Sequence, residues 1–166
     1  MDSSQKTANH LSIEQEITLA ASPARVFTAL TRDIGAWWGA PYLMSPQAQQ
    51  LILDPRIGGQ FYEDWGDGQG ALWATITALR SDTLLELSGS IGMDGAVYAK
   101  VVFTLTAHDQ GTTLRLSHQA YGMISAAQHS GYTAGWSDLL DTRLRAYIER
   151  GELLGLASVD PEKARS

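Results

Sequence analysis

The sequence predicts an α+β fold in which a curved antiparallel sheet of about seven strands wraps around a long C-terminal helix. Two observations lead to this prediction. Between Ser125 and Arg150 apolar residues recur at spacings of three and four, as on one face of a helix. Before Ser125 most of the chain alternates apolar and polar residues between short turn sequences, which is typical of antiparallel strands. A long helix laid across such a sheet tends to enclose a cavity, so the candidate site is sought there.

A strand and two short helices are predicted to open the domain. Alternation over residues 13–19 predicts a half-buried strand. Ser22 followed by Pro23 predicts a helix start, with serine as the N-cap and proline in the first helical position. A second short helix is expected to carry the paired tryptophans Trp37 and Trp38.

Six further strands are predicted over residues 51–53, 59–65, 71–79, 83–90, 96–108 and 112–121. Their alternation assigns an inward face to Leu72, Ala74, Ile76, Leu85, Leu87, Val97, Ala99, Val101, Phe103, Leu105, Leu114, Leu116, His118 and Ala120. Trp73 is expected on the outer face. In the strand at 59–65 two phases stay open, because either Phe61 and Glu63 or Tyr62 and Asp64 can point inward.

The long helix has recognisable ends. Ser125 and Gln128 have the spacing of a capping box, and Gly151 is expected to end the helix. The stripe that should face the sheet comprises Trp136, Leu139, Leu140, Leu144, Tyr147 and Ile148. Gly131 and Gly135 each weaken the helix by roughly 1 kcal/mol relative to alanine. They indicate either close packing against Trp37 and Trp38 or room for a ligand.

Length and composition limit the classes of protein that need consideration. The 166 residues favour a single domain at residues 12–152, with a disordered lead at 1–11 and a tail at 153–166. The absence of cysteine excludes disulfides and thiolate metal sites. A formal net charge of −6 argues against a nucleic-acid partner. We expect a cytoplasmic protein that does not span a membrane, and the composition leaves a homodimer open.

These elements, taken in order, resemble the START-like (SRPBCC) helix-grip superfamily over about residues 12–152. The similarity is greatest to the family of homologues of the activator of the heat-shock chaperone ATPase. It rests on Asp54-Pro55-Arg56-x-Gly58-Gly59-x-Phe61, on Gly135-Trp136, on the paired tryptophans and on the opening pattern Ile17-x-Leu19-x-Ala21-Ser22-Pro23-x-x-Val26-Phe27-x-Ala29-Leu30. The resemblance implies a seven-stranded sheet that grips the C-terminal helix over an apolar cavity. Relatives bind lipids, sterols or polyketides, and a few are cyclases or hydrolases.

Large apolar residues near the expected cavity are the candidate ligand contacts, because such pockets are lined mainly by aromatic and aliphatic side chains. The candidates are Trp37, Trp38, Phe61, Trp65, Phe103, His118, Tyr121, Trp136 and Leu140. Ordinary core packing is the alternative interpretation of each. His118 is the one ionisable residue that alternation places firmly inside, where it could orient a ligand, act as a general base or belong to the core. No histidine or carboxylate spacing suits a metal, and we expect no cofactor.

Three hypotheses follow. The first is non-catalytic binding of a small apolar or aromatic molecule between the sheet and the helix, which an all-apolar cavity would favour. The second is a cyclase- or hydrolase-like enzyme that uses His118 and an inward carboxylate such as Glu63, which a polar pair inside the cavity would favour. The third is a protein-interaction module of the co-chaperone type, which is compatible with a filled core.

Overall fold

The structure is a computed structural model that describes residues 7–156. Its elements are β1 (Thr7–Leu19), α1 (Pro23–Leu30), α2 (Ile34–Trp37), β2 (Gln50–Leu53), β3 (Gln60–Gly66), β4 (Gln69–Arg80), β5 (Leu84–Gly89), β6 (Val97–His108), β7 (Gly111–Ile124), α3 (Ala126–Ser137), a π-helical segment (Asp138–Leu144) and α4 (Arg145–Arg150). The strands form one sheet in the order β1-β7-β6-β5-β4-β3-β2, with every neighbouring pair antiparallel. This arrangement confirms the predicted α+β fold.

The first strand begins earlier than expected. β1 pairs with β7 from Thr7, opposite Ile124, to Leu19, opposite Thr112. Residues 7–11, for which disorder was expected, are therefore part of the sheet, whereas residues 1–6 lie outside the described part of the chain. At the other end, the Gly155 amide donates to the carbonyl oxygen of Ala36 at 3.0 Å. Residues 157–166 of the predicted tail also lie outside the described residues.

Alternation correctly predicted the inward faces of β5, β6 and β7. The residues assigned to those faces are buried except Val97, which is half-buried, and His118 is 0% exposed. In β3 the structure selects one of the two open phases, because Phe61 and Glu63 are buried while Tyr62 and Asp64 are half-buried. A carboxylate therefore points into the interior.

The prediction for β4 was wrong at two positions. Trp73, expected outside, is 5% exposed, and Leu72, expected inside, is 52% exposed. Phe61 pairs with Ala74 and Tyr62 pairs with Leu72, so Trp73 is an extra residue without a partner on β3. Such a β-bulge shifts the alternation by one residue. Leu72 therefore no longer shares a face with Ala74, and Trp73 enters the core.

The C-terminal helix has the predicted ends. Ser125 Oγ accepts from the Gln128 amide at 3.1 Å, and Gln128 Oε1 accepts from the Ser125 amide at 3.0 Å, which completes the capping box. Gly151 ends the helix in the left-handed conformation. The sequence did not predict the π-helical segment in the middle, where the Arg145 amide donates to the carbonyl oxygen five residues earlier. No helix within residues 7–156 is both long and apolar enough to cross a membrane.

The bulge makes a prediction about two adjacent residues. Trp73→Ala should lower the free energy of unfolding by about 3–5 kcal/mol, because it removes a buried aromatic side chain. Leu72→Ala should lower it by less than about 1 kcal/mol, because that side chain faces solvent. Chemical denaturation of both variants measures the difference. If Leu72→Ala proved the more costly change, β4 would have the phase that simple alternation predicts.

Candidate ligand pocket

A pocket of about 280 Å³ lies between the C-terminal helix, from α3 to the start of the π-helical segment, the loop that follows α2, the loop between β5 and β6 and Trp73 of β4. Its aromatic lining comprises Trp38, Tyr42, Trp73, Tyr132 and Trp136. The remaining lining comprises Pro41, Leu43, Met44, Ile91, Leu139, Gln128 and the glycines Gly92, Gly131 and Gly135. The pocket is therefore walled by rings and aliphatic side chains, with Gln128 as its one polar non-aromatic side chain.

Trp38 is at the centre of the aromatic lining. It follows α2 directly, and its ring makes edge-to-face contacts with Trp73 at 5.4 Å and with Trp136 at 5.5 Å between ring centroids. Offset and edge-to-face packing are the favoured geometries of aromatic pairs. These contacts join the loop after α2, the bulge of β4 and the C-terminal helix in one cluster.

All three indole N–H groups in the lining are bonded within the protein. The acceptors are the Tyr42 carbonyl oxygen for Trp38 (2.7 Å), Glu63 Oε2 for Trp73 (2.7 Å) and His118 Nδ1 for Trp136 (2.9 Å). The tyrosine hydroxyls also donate, Tyr42 to Asp138 Oδ2 at 2.8 Å and Tyr132 to the Ile91 carbonyl oxygen at 2.7 Å. The aromatic lining thus offers ring surface to a guest, while its polar hydrogens are already used.

Glu63 is buried behind this lining and accepts four N–H hydrogen bonds. Oε1 accepts from the Ser45 amide at 3.2 Å and from Trp65 Nε1 at 3.1 Å. Oε2 accepts from the Met44 amide and from Trp73 Nε1 at 2.7 Å. Because every partner is a donor, both oxygens act as acceptors, as they do in an ionised carboxylate. Glu63 therefore fixes one wall of the pocket, the loop at Met44, to the bulge at Trp73.

His118 is buried behind Trp136. Its Nδ1 accepts from the indole, which places the proton of the neutral ring on Nε2, and that atom has no hydrogen-bond partner among the described residues. The ring also packs edge-on against Tyr132 at 5.6 Å between centroids. Burial lowers the pKa of His118 from 6.5 to about 4, because desolvation disfavours the charged ring. His118 is therefore neutral at pH 7 and orients Trp136.

The candidate residues from the sequence separate into three groups. Trp38 and Trp136 line the pocket. Trp37, Phe61 and Phe103 instead surround a gap of about 10 Å³, which barely reaches the size of one water molecule and marks them as core. The remaining four lie elsewhere: His118 and Leu140 are buried outside the lining, Trp65 bonds to Glu63, and Tyr121 is 62% exposed and stacks on His10.

Several lining residues were missed by the sequence analysis. The bulge concealed Trp73, and no periodic pattern marks Tyr42 or Met44, because both lie in an irregular loop. Tyr132 could have been found, since it lies one helical turn before Trp136 and therefore on the same face of α3.

The residues proposed for an enzyme do not form a pair. Glu63 and His118 are both buried, but Glu63 bonds to Trp73 and His118 bonds to Trp136. Neither side chain lines the pocket. Within residues 7–156, no group of three or more histidine, aspartate or glutamate side chains is placed to hold a metal ion.

A curved antiparallel sheet that grips a long helix beside an apolar pocket defines the START-like helix-grip class. Within this class, the family model described as activator of Hsp90 ATPase homolog 1-like protein matches residues 20–149. The chain belongs to this family. A search among curated proteins finds no significant match.

Solved structures share the fold. A protein from Rhizobium leguminosarum is 23% identical with a TM-score of 0.66, over 87% of this chain and 98% of that chain. CalU16 from Micromonospora echinospora is 22% identical with a TM-score of 0.62, over 96% and 89%. DynU16, a protein in the dynemicin biosynthetic locus, is 21% identical with a TM-score of 0.65, over 87% of this chain and 49% of that chain. At these identities the similarity establishes the common fold.

The Glu63 network can be tested by an isosteric change. Glu63→Gln replaces one acceptor oxygen by an NH₂ group that faces N–H donors, so the free energy of unfolding should fall by about 2–4 kcal/mol. The amide hydrogens of Met44 and Ser45 should also lose protection from exchange. Glu14→Gln, on the exposed side of β1, is the matched control and should change neither quantity. Unchanged exchange at both amides in Glu63→Gln would contradict the assigned role.

The buried histidine predicts a pH dependence. Because folding lowers the pKa of His118 from 6.5 to about 4, the unfolded chain binds the proton first as the pH falls. The contribution of His118 to the free energy of unfolding is therefore complete above pH 6.5. It falls by about 3 kcal/mol in total between pH 6.5 and 4. His118→Gln keeps an acceptor for Trp136 and does not titrate. Between pH 6.5 and 4 the free energy of unfolding of wild type should therefore fall by about 3 kcal/mol relative to that of the variant. An unchanged difference between the two proteins over this range would refute the assignment.

Proposed function

We propose that this protein binds a small apolar or aromatic molecule in the pocket between its sheet and its C-terminal helix, without catalysing a reaction. The observation that carries the proposal is the aromatic lining whose N–H and O–H donors are already bonded within the protein. A guest that depends on strong hydrogen bonds would gain little binding free energy there. A guest with apolar or aromatic surface would gain binding free energy from burial and from aromatic packing.

Different interiors favour the three hypotheses, and the observed interior supports the first. A filled core would favour the interaction module, but a space of about 280 Å³ is open. A polar pair in the cavity would favour the enzyme, but Glu63 and His118 lie outside the lining and are bonded elsewhere. Binding proteins and polyketide cyclase-like proteins both occur with this fold, so family membership is compatible with the proposal.

The volume suggests the size of the guest. Small-molecule sites commonly measure roughly 300–1,000 Å³, and a cavity of about 150 Å³ holds benzene. A pocket of about 280 Å³ is therefore suited to about two fused rings or an aliphatic group of similar bulk.

The proposed location is the cytoplasm, as expected from the sequence, because a chain without cysteine needs no oxidising compartment to fold.

Native mass spectrometry of the freshly purified protein tests the proposal first. We expect a co-purified small molecule, or binding of the neutral probe 2-naphthol measured through the quenching of tryptophan fluorescence. If no guest is retained and neither 2-naphthol nor other apolar probes bind, the proposal is wrong.

Two matched variants then locate the binding site. Tyr132→Ala removes an aromatic wall of the pocket and should weaken 2-naphthol binding about tenfold, which corresponds to about 1.4 kcal/mol. Tyr121→Ala makes the same change on the exposed outer face, where it should leave binding unchanged. Equal effects of the two variants would place the binding site outside this pocket.

A further inference from the structure

We propose that Gly131 determines which guests the pocket accepts. Its missing side chain leaves one side of the pocket open, so that an aromatic guest can carry a chain-like substituent past α3 into solvent. This inference rests on the proposed binding function and adds a ligand class to it: a ring system with an extended substituent.

Gly131 meets both the pocket and the solvent. It lines the pocket and is itself exposed. Apart from its two chain neighbours and the nearby backbone of α3, a Cβ atom at this position would have no atom of the described residues within 4 Å. A side chain would therefore have room here, at a residue that lies on the rim between the pocket and the solvent.

The backbone does not require glycine at this position. Gly131 lies inside α3, between Ala126 and Ser137, and it is absent from the residues with positive φ. Glycine is the least favourable residue in a helix interior after proline, because it loses the most conformational entropy. The helix is therefore weakened at a position where alanine would fit without strain.

The other glycines of the lining have structural explanations. A Cβ at Gly135 would approach Tyr42 Cε1 at 3.2 Å, so close packing accounts for this residue. Gly92 has a φ of +75°, and a Cβ there would lie 2.5 Å from the Trp73 ring. Neither explanation applies to Gly131. The structural effect of glycine at this position is that the pocket has no side chain on this side.

Fixed side chains frame this opening. Gln128, three residues before Gly131, accepts from the Ser125 amide and donates to Asp94 Oδ1 at 3.2 Å. Tyr132, the next residue in α3, is held by its bond to the Ile91 carbonyl oxygen. Because these two neighbours are held in place, a side chain added at position 131 would narrow the opening.

Binding of two probes to three proteins tests the inference. The probes are 2-naphthol, which has the ring system alone, and 2-(hexyloxy)naphthalene, which adds an apolar chain. Wild type should bind both. Gly131→Leu should bind 2-naphthol within about threefold of wild type but the hexyloxy probe at least about tenfold more weakly, because leucine closes the opening. Ser130→Ala, an exposed change in the same helical turn, should bind both probes like wild type.

A stability measurement separates this role from a structural one. Gly131→Ala should raise the denaturant midpoint, because alanine favours the helix and meets no neighbour. A lower midpoint would show that glycine is needed for packing and would overturn the inference. Equal weakening of both probes by Gly131→Leu, or of neither, would also overturn it while leaving the binding function intact. If wild type retains no guest and binds neither these nor other apolar probes, the proposed function itself fails.

Discussion

The burial of one carboxylate determines how the walls of the pocket are held. Among the residues that the structure describes, Glu63 is the one fully buried acidic side chain. Moving a carboxylate out of water costs several kcal/mol unless hydrogen bonds replace its hydration. Four N–H groups do so here, and they come from the bulge of β4, from Trp65 and from the loop at Met44 and Ser45. If either the bulge or the loop moved away, the carboxylate would lose part of this replacement, so the two segments hold each other in place.

The C-terminal helix is fixed to the same region from the opposite side. The Trp136 indole bonds to His118 on β7, and the π-helical segment places Asp138 and Arg143 beside the loop after α2. Asp138 accepts from the Tyr42 hydroxyl, and Arg143 donates to the Ala40 carbonyl oxygen at 2.9 Å. The loop is thus anchored to the sheet by Glu63 and to the helix by Asp138 and Arg143. π-helical turns often occur at functional sites, and here the turn supplies the anchors of a pocket wall.

Sequence reasoning predicted regular elements well and irregular ones poorly, for a physical reason. Alternation predicted the inward faces of β5 to β7 because no residue is inserted within those faces. It failed in β4 because the bulged residue Trp73 shifts the alternation of inward and outward side chains by one position. The capping box and the apolar stripe are local signals, so the helix ends were predictable. The pairing of residues 7–11 with β7 is non-local, and their own sequence does not indicate it. The candidate site was predicted least well, because Trp73 lies in a bulge and Tyr42 and Met44 lie in an irregular loop.

The same hydrogen bonds explain why a pocket rich in tryptophan stays open. Large aromatic side chains normally close-pack, because each buried ring gains dispersion and hydrophobic energy. Here, moving Trp38, Trp73 or Trp136 into the space would break the bond of its indole N–H. A buried donor left without an acceptor costs about 1–3 kcal/mol, and for Trp73 the buried Glu63 would also lose a partner. These hydrogen bonds therefore keep the three rings in the wall of the pocket. A guest can bury its own apolar surface against the rings without first displacing them.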